Sequence, residues 1–312
     1  TAKLGLRAMS SAGRQDDVLR AILNTAAGVS SAAPAYSLEF VQALGREALA
    51  EGDPARGEKV FRGTLTNCFS CHAIGGAGGK VGPDVSAVGT GLPIDMMIES
   101  VLWPNRQVKE GYGSTAVITK SDQILTGFRV NEDKQTLILR DPNLEGVLRI
   151  PIADIKARKE IGSVMPEGLA NGLTRAELRD LIRFLCDLGK PGPFRVPDRP
   201  YVRRWEAAGS WGTWAPRYST VAGELPLDEP GGPLTLRLQV EVLQAGRFAF
   251  RVDSTAGLTR EGAAWREGLE IELGRGRHAI AFTVDPAKRG RTGLRCEVLP
   301  APGSKGELRL VQ

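Results

Sequence analysis

One five-residue run constrains this chain more than any other feature: Cys68-Phe69-Ser70-Cys71-His72. The 312 residues hold only 4 cysteines and 2 histidines, and half of them fall inside this pentapeptide. By composition alone such a match arises with a probability of roughly 3 in 10,000. C-x-x-C-H is the attachment pattern of a covalently held haem. The two thiols reach the two vinyl groups on one porphyrin edge and form thioethers. The following side chain then lies over the ring face, where His72 can bind iron as the proximal ligand. A thioredoxin-like reading of C-x-x-C needs a βαβ setting, whereas the next residues, Ala73-Ile74-Gly75-Gly76-Ala77-Gly78-Gly79, form a glycine-rich loop. A zinc site needs a second Cys/His cluster, and the sequence has none.

Composition narrows the class. Hydrophobic residues at 42% and charged residues at 25% are those of a globular protein and exclude disordered and collagenous chains. No stretch approaches the ~20 apolar residues of a spanning helix, so no transmembrane segment is expected. The net charge of +5 is spread over a large surface without a basic run or a nucleic-acid motif, so no nucleic-acid partner is expected. The cysteines are too few for a disulfide scaffold. Cys186 and Cys296 read as buried small apolar residues. No charged-then-apolar signal segment is read in the sequence from Thr1 on, as expected either of a chain whose signal was removed or of a fragment of a longer protein, so compartment has to come from chemistry. Covalent haem attachment implies export, to the periplasm or the cell surface.

The length suggests about two domains. Residues 1–50 read as a helical leader, with Asp16 or Asp17 capping one helix and Ser37 a second that carries Phe40, Val41 and Leu44. Residues 51–190 read as the haem domain. Asp53-Pro54 opens a helix as N-cap and N1, and Thr174-Arg175-Ala176-Glu177 is a capping box opening the last one. Inside lies a β-like segment at about 112–155, with strands expected over 114–120, 124–130, 136–140 and 147–152. A Pro/Gly-rich linker follows at 191–200. Residues 201–312 read as an antiparallel β-sandwich, with strands expected over 235–243, 246–253, 269–273, 277–285, 294–299 and 307–311. Trp205, Trp211, Trp214 and Trp265 fall here, as packing residues or as platforms for a sugar ring.

Several segments occur together and in order: Gly52-Asp53-Pro54-Ala55-Arg56-Gly57, the C-x-x-C-H run, Val81-Gly82-Pro83-Asp84, Trp103-Pro104-Asn105, and Ser163-Val164-Met165-Pro166-Glu167-Gly168-Leu169. With the helix at 173–189, this series resembles class I-like cytochromes c. More narrowly it resembles the haem-binding domain family named for planctomycetes and verrucomicrobia, over less than half of the chain. The C-terminal part looks like PA14-like or carbohydrate-binding-module-like sandwiches. The fold implied is α+β and multidomain: a helical cytochrome c core with an inserted β segment, then the sandwich.

The resemblance implies one covalent haem c held by Cys68 and Cys71, with His72 proximal and Met165 distal. It implies that the Pro83 carbonyl accepts the His72 Nδ1 hydrogen, and that Gly57 and Phe184 lie where the first and last helices cross. Met165 stands far later after the motif than in small cytochromes, as the β segment requires. The other methionines are read as the leader's Met9 and the core-packing Met96 and Met97, and His278 as a surface histidine. The function expected is single-electron transfer to or from a redox partner protein, such as a dehydrogenase part of the same longer protein. Two alternatives stand beside it: a peroxidase-like enzyme or gas-binding sensor with an open or labile distal position, and a polysaccharide- or partner-binding module that carries the haem domain.

Overall fold

Helices form where a cap meets amphipathic spacing. The computed structural model describes residues 2–5, 17–27, 34–141, 146–209, 212–227, 232–290 and 292–311; Met9, Asp16 and Trp211 lie outside them. Helix α1 spans Asp17–Ala27 and α2 spans Leu38–Glu51. Ser37 Oγ accepts the Phe40 N–H to start α2, and Val41, Leu44 and Ala48 form its buried stripe. In α3, Pro54–Arg62, Asp53 caps the N–H groups of Ala55 and Arg56, with proline in the first turn. A single turn, α4 (Val88–Gly91), precedes α5 (Ile94–Leu102). The Thr174/Glu177 capping box, closed in both directions, opens α6 (Arg175–Asp187).

Gly57 and Phe184 meet where α3 crosses α6. A Cβ on Gly57 would lie 2.0 Å from the Asp180 carbonyl oxygen and 2.6 Å from Phe184 Cβ. Above this contact Phe61 packs on Phe184 with ring centroids 5.7 Å apart.

Strands β1 (Ala73–Ile74) and β2 (Ala77–Gly78) make a two-stranded ribbon. Strands β3 (Gly113–Thr119), β4 (Ile124–Glu132), β5 (Thr136–Arg140), β6 (Val147–Pro151) and β7 (Ile155–Ser163) form an antiparallel sheet in the order β6-β5-β4-β3-β7. Val117, Leu137, Leu139 and Ile150 are its core. β7 had no counterpart among the expected strands. It is an edge strand of mostly exposed residues, held by pairing from Gly113↔Ser163 to Thr119↔Ile155. Its charges pair across the sheet, Lys156 with Asp122 and Arg158 with Glu132. Charged edge positions carry no apolar alternation to read.

The remaining strands are β8 (Arg204–Ala208), β9 (Trp214–Tyr218), β10 (Leu234–Gln244), β11 (Gly246–Val252), β12 (Leu258–Arg260), β13 (Ala263–Ala264), β14 (Leu269–Leu273), β15 (Gly276–Val284), β16 (Cys296–Pro300) and β17 (Glu307–Leu310). Seven of them build one sheet, β13-β12-β15-β10-β8-β9 with β17 also on β10, and three build another, β14-β11-β16. Both sheets close on one apolar core that includes Trp205, Leu238, Phe248, Phe250, Trp265 and Phe282, a sandwich-like arrangement. Trp205 and Trp265 are interior, and Trp214 is half-exposed beneath the Arg237 guanidinium, 4.3 Å from its ring. Cys186 and Cys296 are buried thiols.

The chain divides into two compact units, Thr1–Ala73 with Gly79–Leu188, and Ile74–Gly78 with Gly189–Gln312. The first unit therefore takes in α2 along with the helices that follow it. Residues 191–200 are largely exposed and contain neither helix nor strand.

The expected fold class is overturned. Among the described residues the protein is mostly β, with four sheets and 17 strands, and its helices are few and short, the longest 14 residues. No helical cytochrome core organises the molecule. The physical reason is that caps and amphipathic stripes mark where a helix begins and which face it buries, and say nothing of how much chain the helices hold. Among the described residues no helix is long and apolar enough to cross a membrane.

Candidate functional site

The motif begins in a tight turn. Asn67 takes left-handed backbone angles (φ 48°) and leads into a 3-10 turn at Cys68–Ser70, where the Cys68 carbonyl accepts from the N–H groups of both Cys71 (3.1 Å) and His72 (2.9 Å). The next loop is tied back onto it: Gly79 N–H donates to the Phe69 carbonyl and Gly82 N–H to the Cys71 carbonyl. Phe69 anchors the turn, buried edge-on to Phe61 with the Arg62 guanidinium 4.3 Å over its ring.

These ties carry Pro83 to His72. The His72 Nδ1 lies 2.9 Å from the Pro83 carbonyl oxygen. A carbonyl only accepts, so Nδ1 carries the proton and the Nε2 lone pair is left for a ligand. Burial pushes the imidazole pKa below its ordinary value, against the opposing pull of the Pro83 bond, so the ring is neutral. The backbone of Gly82 lies close against the ring. A Cβ there would stand 2.5 Å from Cε1, 2.7 Å from Nδ1 and 2.9 Å from Nε2.

His72 faces a cavity of about 730 Å³ within the first unit, the size of a cofactor site. Cys68, Pro83, Met96, Met97 and Met165 also line it; the rest of the wall is largely apolar, with Phe61, Val85, Leu92, Leu181 and Leu185. Cys68 is in the wall and Cys71 is not. Both are half-buried free thiols, and Ser70 Oγ stands 3.7 Å from Cys71 Sγ. Burial pushes the Cys68 thiol up, the reverse of the lowered value a redox-active dithiol uses.

Met165 is brought in by the strand that sequence patterning misses. It follows β7 by two residues, half-buried, with its N–H donating to Ser163 Oγ at 3.1 Å. Met96 and Met97 on α5 share the cavity wall. Met97 is buried and takes the Cys186 thiol on its sulfur at 3.8 Å, a packing contact. Met96 reaches the cavity as well, which its apolar helical surroundings did not reveal. His278 is in the second unit, with Nε2 2.7 Å from the Gly274 carbonyl.

The donor set fits a haem: an apolar cavity, a neutral imidazole with Nε2 free, a thioether sulfur on a loop, and two thiols at the attachment spacing beside them. Cys68, His72, Pro83 and Met165 thus line one cavity, with Cys71 in the turn between Cys68 and His72 but outside the wall, whereas His278 and Cys296 belong to the other unit. No protein-family model matches the chain, and no curated protein matches it.

Proposed function

We propose that this chain is a c-type haem protein that transfers single electrons. Cys68 and Cys71 would hold the haem through thioethers, His72 Nε2 would be the proximal ligand and Met165 Sδ the distal one. The observation that carries the reading is the cavity that His72, oriented through Nδ1 by the Pro83 carbonyl, shares with Cys68 and Met165. The resemblance carried by the motif series points the same way. A haem bound there supplies reversible one-electron chemistry, which thioether ligation biases toward the reduced state. The chain's own contributions are attachment, a fixed imidazole tautomer and an apolar wall that keeps water out. With His72 and Met165 both holding the group, the site would suit electron transfer better than substrate chemistry.

In this reading the partner is a redox protein, such as a dehydrogenase part of one longer protein, and the compartment is the periplasm or cell surface. The second unit would be the anchoring module, to polysaccharide or to that partner, with Trp214 as its half-exposed aromatic.

The test is distal ligation. The oxidised protein is expected to show the weak near-infrared sulfur–iron band, and the reduced protein to take up carbon monoxide poorly. Met165→Ala should abolish the band and open the site, while Met96→Ala and Met97→Ala should leave both properties unchanged. Ready carbon monoxide uptake by the unmutated protein would instead favour the peroxidase-like or gas-binding reading. Loss of the band in Met96→Ala alone would move the ligand to α5.

A further inference from the structure

We propose that Asn105 is a positioning residue that holds the Met165 loop at the cavity; this rests on reading Met165 as the distal ligand. Asn105 stands on an anchored turn at the end of α5. Trp103 N–H donates to the Glu99 carbonyl at 2.7 Å and Arg106 N–H to the Trp103 carbonyl at 2.9 Å. The Trp103 indole is buried, and its Nε1–H donates to the Pro34 carbonyl at 2.6 Å.

From this turn the Asn105 amide grips the methionine loop on both sides. Its Oδ1 accepts the Ser163 N–H at 2.9 Å, and its Nδ2 donates to Glu167 Oε1 at 2.9 Å. The two partners fix the amide's orientation, since an N–H demands the oxygen and a carboxylate demands the nitrogen. Between the two grips lie Val164, Met165 and Pro166. The Met165 N–H is itself bound to Ser163 Oγ, and proline fixes a torsion on the far side. Gly162 lets the amide come this close: its φ is +91°, and a Cβ would lie 2.6 Å from Asn105 Oδ1. The loop is otherwise open to solvent at Val164, Pro166 and Glu167. One side chain thus couples α5, which carries Met96 and Met97 in the cavity wall, to the loop that presents Met165.

The two bonds are exposed and ordinary. Losing both should shift the balance between ligated and released sulfur by roughly tenfold. The test uses the full chain with haem attached and reads the near-infrared sulfur–iron band and the rate of carbon monoxide uptake after reduction. Asn105→Ala should weaken the band and speed uptake by about tenfold. Asn105→Asp has the same shape and keeps the acceptor for Ser163, but sets a carboxylate against Glu167, and should act in the same direction. Asn105→Asp with Glu167→Gln restores a donor–acceptor pair with reversed polarity and should return both readouts toward the unmutated values. A role in overall stability alone would move the thermal midpoint and leave the band and the uptake rate at room temperature unchanged. If the unmutated protein has the band and neither Asn105 variant alters it, this inference fails while Met165 ligation stands. If the unmutated protein lacks the band, both fail together.

Discussion

His72 is held by a polar constraint and a steric one, and they act on the same ring. The Pro83 carbonyl chooses the tautomer, and the flat backbone of Gly82 leaves the ring its place. Gly82→Ala would put a methyl group inside contact distance of three ring atoms. The ring would have to turn, straining the Nδ1 bond. The expected cost is about 1–3 kcal/mol of stability, as for other overpacked sites, with a shifted haem absorption spectrum; thermal melting and spectroscopy on the haem-bearing protein check both. An unshifted spectrum and melting point would show that the loop at 81–84 gives way instead. The proposed attachment residues stand out in the sequence because the chemistry that would join a porphyrin edge to an iron ligand is local along the chain. Asn105 was legible only as part of a motif, not as a contact, because its partner Ser163 is 58 positions away and reached through strand pairing.

At the scale of elements, the crossing of α3 and α6 sets one wall of the cavity, since Phe61 comes from α3 and Leu181 and Leu185 from α6. Gly57→Ala forces the helices apart and is expected to lower stability by about 3 kcal/mol, measured as a lowered denaturation midpoint. Beside it the Asp180 side chain, only 4% exposed, accepts from the Asp53 N–H and from Arg56 Nε and Nη2. Burial raises the Asp180 pKa, but the Arg56 hydrogen bonds, the Asp53 N–H and the Arg56 and Arg179 charges outweigh it and hold the carboxyl below its usual range. A carboxyl with a lowered folded pKa stabilises above its unfolded value of about 3.9 and loses that contribution as pH falls through the folded value. Asp180→Asn should therefore lower the melting temperature at neutral pH, and the gap from the unmutated protein should close below about pH 4. A gap independent of pH would mean that packing, not charge, sets the effect. The capped helices and the alternating strands of the second unit could be read from sequence, since caps and period-2 burial are local patterns. β7 could not, because an edge strand of charged residues has no apolar face. The weight of strand over helix was missed for a related reason: short strands such as β8 and β9 are held by pairing, β8 against β10 and β9 against β8, and β9 shows no buried alternation to read.

For the molecule as a whole, the haem reading places all cofactor chemistry in the first unit, with Cys68 and Cys71 both on the N-terminal side of the exposed stretch 191–200. Limited proteolysis should cut within that stretch, and the haem should stay on the N-terminal fragment because its bonds are covalent. Cleavage elsewhere first, with 191–200 intact, would contradict the exposure argument. The central claim is covalent haem on Cys68 and Cys71, and acid–acetone extraction of the protein produced alongside haem-attachment machinery tests it most directly. The haem is predicted to stay with the denatured chain, and to pass into the acetone once Cys68→Ala and Cys71→Ala are combined. Haem that extracts freely from the unmutated protein, or a chain that acquires none, would contradict the account.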